Sequence, residues 1–153
     1  MRRSEPFSYI EPTLETGRLF VQRGLAGPVV MLNLLKFGDA ADYSAHPELA
    51  PAMPISGAEA FDRYVWRTLP HLREGGGDLL FLGAGGLILI GPADERWDMA
   101  LLVRQASVAS CHSFASHEGY LAGLCHRTAA IEDSRLLPLS EMPLPLSPNG
   151  TRS

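Results

Sequence analysis

The apolar and polar positions of this chain repeat with periods that change several times, and each change marks a predicted element. In "PTLETGRLFVQRG", Leu14 and Leu19 to Val21 fall on the buried side of a short helix that Gly24 ends. "GPVVMLNLLKFG" is a bounded apolar run, too short for a helix, and reads as a strand buried on both faces with Asn33 and Lys36 as its only polar members. Asp39 to Pro54, rich in Ala, Pro and small polar residues, reads as a surface excursion. Ser56 followed three residues later by Glu59 is a capping box that opens a helix running to about Glu74. Phe61, Tyr64, Val65, Thr68 and Leu72 recur at helical spacing along it, and Gly75 to Gly77 end it. "DLLFLGAGGLILIG" predicts a long strand interrupted by glycines, and "ERWDMALLVRQ" its hairpin partner. A second helical region starts near Ser107, breaks around "SHEGY" and resumes to Ile131, before a last strand in "EDSRLLPL".

After the first short helix the order is strand, helix, strand, strand, helix, strand. That order predicts an α+β, ferredoxin-like fold, a four-stranded antiparallel sheet with both helices on one face. The expected division is an N-terminal extension at 1–27, the ferredoxin-like domain at 28–139 and a Pro-rich tail at 140–153. Helices on one face leave the other apolar face uncovered, and homodimerisation through it is the simplest remedy.

Composition narrows the function classes. A length of 153 residues with 46% hydrophobic content suits one compact domain with a real core. The formal charge of −4 and the scattered Lys and Arg exclude an electrostatic nucleic-acid partner. No run of about 18 apolar residues occurs, and no apolar run follows the arginines of "MRRSEPFSYIEP", so neither a membrane helix nor a signal peptide is expected. The expected location is the cytoplasm, where the two cysteines stay reduced.

Cys111, His112, His117, Cys125 and His126 offer metal-ligating atoms in a short span, but neighbours on a helix point about 100° apart and the spacing fits no zinc signature. Core thiols are the simpler reading, and neither metal nor cofactor is expected. "GAGG" lies before a further apolar strand run instead of a helix, so it reads as a bulge or bend, not a phosphate cradle.

His126 and Arg127 are stronger candidates. Ala122, Gly123, Ala129 and Ala130 surround His126 at helical spacings and leave space over the imidazole. A ligand there would meet a guanidinium able to grip a carboxylate or enolate and an imidazole able to move a proton. The structural alternative pairs Arg127 with an acid such as Asp133 and leaves His126 half-exposed. Asn33, an amide in a buried strand, must find partners or cost about 1–3 kcal/mol, and either a carbonyl ligand or a neighbouring loop would serve. The Tyr64 hydroxyl can enter the same space or bond within the protein. Trp97 suits the core or a dimer interface, and Asp98 can pair with Arg104 or Arg135.

The segments "PVVMLNLLKF", the Tyr-containing helix ending in "GGG", "LILIG" with "RWDMALLV", and above all "HRTAAIEDSRLLPL" resemble the family called domain of unknown function thirteen-thirty, within the dimeric α+β barrel superfamily. The resemblance covers roughly Pro28 to Leu139; the segment before Pro28 and the 39–54 excursion look like additions, and "RQAS" stands where relatives carry a Tyr-Pro-Ser turn. It implies a ferredoxin-like protomer paired sheet to sheet. The implied function is a cofactor-independent oxygenase or isomerase acting on a small carbonyl- or carboxylate-bearing metabolite. Asn33, Tyr64 and Arg127 would then contact substrate, with His126 and Arg127 as catalytic groups. The other reading is a non-catalytic dimeric module that binds a small ligand or a protein.

Overall fold

In the computed structural model, which describes residues 8–145 and 148, the elements follow the order α1 (Leu14–Gln22), β1 (Val29–Phe37), α2 (Gly57–Glu74), β2 (Asp78–Leu87), β3 (Arg96–Gln105), α3 (Val108–Ala115), α4 (Glu118–Ala130) and β4 (Ile131–Ser140). The strands form one antiparallel sheet in the order β2-β3-β1-β4. With α2 and the α3–α4 pair as its two helical crossings, this is the ferredoxin-like α+β fold. No described helix is long and apolar enough to cross a membrane.

Burial along β1 alternates instead of covering both faces. Val29, Met31, Asn33, Leu35 and Phe37 are buried toward the helices, and the residues between them are half-exposed. The side-chain period of two explains this, because only one face of a central strand is roofed by helices. Leu35 and Phe37 join Ala60 and Phe61 of α2, Leu101 of β3, and Ala129, Ala130 and Ile131 in one core. α2 starts as its capping box dictates: Glu59 N donates to Ser56 Oγ and Ser56 N to Glu59 Oε1.

Three expectations are corrected. No residue of α1 is buried, and Leu14 is 93% exposed. Amphipathic spacing records a helix but not whether anything covers it. β2 stops at Leu87: past one further ladder bond, Ile88 N to Glu95 O, the chain turns through Gly91 and Pro92, with Glu95 N donating to Pro92 O, which leaves Leu89 and Ile90 exposed. Its register slips between Leu79 and Phe81, ahead of the glycines.

The sheet face away from the helices carries an apolar row that crosses all four strands. Phe81 of β2 pairs with Leu102 of β3, Leu102 with Leu32 of β1, and Leu32 with Leu137 of β4. Phe81 is 56% and Leu137 53% exposed. Val30, opposite Leu139, continues the patch.

Candidate functional site

The site begins where α4 runs directly into β4. A helix leaves its last carbonyls without partners, and α4 has no glycine cap to turn back on them. Gly38, just after β1, and Asp42 of the 39–54 excursion supply the missing donors: Gly38 N donates to Ala130 O and Asp42 N to Ala129 O. Gly57 N donates in turn to Gly38 O, and Ala41 N to Ile55 O, which ties the excursion to the start of α2. This knot of backbone bonds draws Tyr43 into the core, where it is only 8% exposed.

Tyr43 meets His126 there. Its hydroxyl lies 2.7 Å from His126 Nδ1, and the two rings meet edge to face at 5.6 Å between centroids. His126 is 4% exposed, so the imidazole is a core residue and not the half-exposed surface group that was its alternative. Burial pulls the His126 pKa below its ordinary value, and Arg67 and Arg63, one turn apart on α2, pull in the same direction. Burial raises the Tyr43 hydroxyl, against the opposing pull of Arg63 and Arg67. The pair is therefore neutral near pH 7. Its hydrogen bond runs from Tyr43 to Nδ1 when that nitrogen is bare, and from Nδ1 to the phenol oxygen when it carries the proton.

The other expected residues lie elsewhere. Arg127 points away from His126, as adjacent helical residues must, and its Nη1 donates to Ile10 O of the N-terminal segment. Asp133 does not pair with Arg127: its Oδ1 accepts from Tyr9 N and from Arg135 Nη1. Asn33 is buried, and Nδ2 donates to Met31 O. Tyr64 packs at the seam of α2 and α4 against Phe61 and Tyr120, and burial raises its hydroxyl well above the ordinary phenol range. Asp98 bonds Phe37 N and pairs with Arg96, not with Arg104 or Arg135. Cys111 and Cys125 are half-buried free thiols, and burial pushes the Cys111 thiol up.

Two clefts open near these groups. One of about 390 Å³ lies under the excursion, lined by Ala41, Tyr43, Pro47, Pro51 and Ile55 among others. The other, of about 580 Å³, runs between α2 and α4 past Trp66, Arg67, His71, Gly119 and Gly123. Neither is lined by Asn33, Tyr64, His126 or Arg127, but Tyr43 is a wall of the first. Tyr43, Arg63 and Arg67 are the residues that sequence reasoning missed. The signal for Tyr43 was its place as the one Phe, Tyr or Trp in an excursion rich in Ala, Pro and small polar residues.

Fold and site together define a ferredoxin-like protein with a buried histidine–tyrosine pair. Over almost its whole length the chain is similar to RPA0582, a protein of unknown function from Rhodopseudomonas palustris: 33% identity over 90% of this chain and 99% of that one, with a TM-score of 0.78. The methylated form of RPA0582 gives 34% identity over 93% of this chain and 98% of that one, with a TM-score of 0.77. The chain belongs to the family of RPA0582. No protein-family model and no curated protein matches it.

Proposed function

We propose that this protein is an acid–base catalyst for a small, largely apolar metabolite bearing a carbonyl or carboxylate, of the isomerase or cofactor-independent oxygenase type. The observation that carries the reading is the 2.7 Å bond between Tyr43 and His126 Nδ1. A neutral, desolvated imidazole is a competent proton acceptor near pH 7, and the tyrosine that holds it also walls the mainly apolar cleft under the excursion. Arg63 and Arg67 add positive potential that favours an anionic or enolate-like species beside the pair. In this reading Tyr43 faces the substrate from the cleft wall and His126 acts behind it, exchanging a proton through the phenol, while Arg127 holds the N-terminal segment. The same reading includes homodimerisation through the open apolar sheet face and membership of the domain of unknown function thirteen-thirty family.

The test is carbon-acid exchange. The protein is incubated in D₂O with a panel of 2-oxo acids and 1,3-dicarbonyl compounds, and loss of the α-proton signal is followed by NMR. Catalysed exchange is expected for at least one compound, with a rate reduced about 100-fold or more in His126→Gln, the usual size of a general-base contribution. Equal rates in the variant would remove His126 from the reaction.

One observation favours a second reading, a non-catalytic dimeric module. His126 itself lines neither cleft. Exchange of no compound in the panel would support that module.

A further inference from the structure

We propose a second site, separate from the His126 pair: a divalent transition-metal site of the zinc type made by His71, Glu74 and His117. Sequence reading set His117 beside the cysteines, but the fold takes it elsewhere. His71 and Glu74 lie three residues apart in the last turn of α2, and His117 is the N-cap of α4, which packs alongside. Glu74 Oε1 is 3.6 Å from His71 Nδ1 and 3.6 Å from His117 Nε2, and one ligand atom from each residue lies within 4.8 Å of the others. A tetrahedral zinc with bonds of about 2.0–2.1 Å sets its ligands roughly 3.4 Å apart, so two of the three edges are already close to that geometry.

A second observation points to a bound cation. His71 Nδ1 is buried and, among the described residues, is the one buried side-chain polar atom with no hydrogen-bond partner. At 3.6 Å the carboxylate is too far to satisfy it as a hydrogen bond. A metal placed between the two groups would. The backbone is shaped to allow this approach: a Cβ at Gly119 would overlap the His71 ring, so glycine lets the first turn of α4 close onto the imidazole.

Coordination would change the state of His117. Its Nδ1 accepts the cap bond from Gly119 N at 2.9 Å, so in the neutral ring the proton sits on Nε2, facing Glu74. A metal binds Nε2 only once that N–H bond breaks: the ring changes tautomer, the proton passing by way of solvent to Nδ1, which frees the Nε2 lone pair for the metal and gives up the cap bond from Gly119. Two imidazoles and one carboxylate leave a fourth position open, the arrangement of zinc sites that bind a water or a substrate. His71 lines the cleft between α2 and α4 together with Arg67, whose charge favours a small anion such as a carboxylate as the fourth ligand.

The test is titration of the purified full chain with Co²⁺, followed by its visible absorption, and then competition with Zn²⁺ against a chromophoric chelator. Expected is one saturable equivalent per chain with tetrahedral nitrogen and oxygen bands, and a Gly119 amide resonance that moves on adding Zn²⁺. Glu74→Gln and His71→Phe should each weaken binding at least tenfold. Glu74 has a side chain 67% exposed, so its variant keeps the test valid if His71→Phe does not fold. Absence of saturable binding, binding unchanged in Glu74→Gln, or sulfur charge-transfer bands lost in Cys111→Ser with Cys125→Ser would each overturn the site.

Discussion

Leu137→Asp should convert the proposed dimer into monomers. Leu137 sits in the apolar row Phe81, Leu102, Leu32, Leu137, and is 53% exposed in the isolated protomer. If that face met only water, a surface substitution there would change stability by no more than about 0.5 kcal/mol. In a two-fold interface the row is covered and the change enters twice. Burying a polar group without a partner costs at least about 2 kcal/mol, and an unpaired carboxylate more. Two copies therefore weaken association by roughly a thousandfold or more, since about 1.4 kcal/mol is a factor of ten. Light scattering on the eluting peak reads this directly. A wild-type protein that is monomeric at micromolar concentration, or a variant that remains dimeric, would remove the interface from this face.

Gly57→Ala should cost about 2 kcal/mol, although alanine is the better helix former. An added Cβ would lie 2.5 Å from Gly38 O, 2.6 Å from Ala130 O and 2.9 Å from Gly38 N. All three are backbone atoms and cannot rotate aside. They belong to the knot that joins β1, α2, the excursion and the end of α4. Overpacking costs about 1–3 kcal/mol, and the entropy that alanine removes from the unfolded chain returns only about 0.4–1 kcal/mol. The melting temperature should fall by roughly 4–8 °C, given about 2–4 °C per kcal/mol at this chain size. Gly17→Ala is the matched control, because its Cβ would meet nothing within 4 Å on exposed α1, and it should stabilise slightly. Equal melting points for Gly57→Ala and wild type would show that the knot can open without cost.

The fold was legible because its signals are local. The Ser56–Glu59 capping box, the apolar run of β1 and the glycines after α2 each act within a few residues, and their order leaves few topologies. What covers an element is a long-range matter. The apolar residues of α1 resemble those of a packed helix, yet none is buried. The same division holds in the site. Asn33 and His126 could be picked out as polar residues in apolar surroundings, and both are buried. The reach of Arg127 to Ile10 spans 117 positions and has no periodic trace. Tyr43 joins the core because the carbonyls of Ala129 and Ala130 need donors, a demand visible only once α4 is known to run straight into β4. His71 and His117 likewise meet only through the packing of α2 on α4, with ring centroids 4.6 Å apart.

The neutral state of His126 also sets a pH dependence. Its pKa is lower in the folded protein than in the unfolded chain, so between those two values the unfolded chain binds more protons, and stability is lost as pH falls below about 6.5. The most direct measurement is an NMR titration of the His126 imidazole in wild type and in Arg67→Gln. A midpoint below 6.5 is expected in the wild type, moving upward in the variant as one opposing charge is removed. A wild-type midpoint at or above 6.5 would mean an imidazole that is solvated or held as a cation, and the buried His126–Tyr43 pair could not then be the neutral proton acceptor on which the proposed chemistry depends.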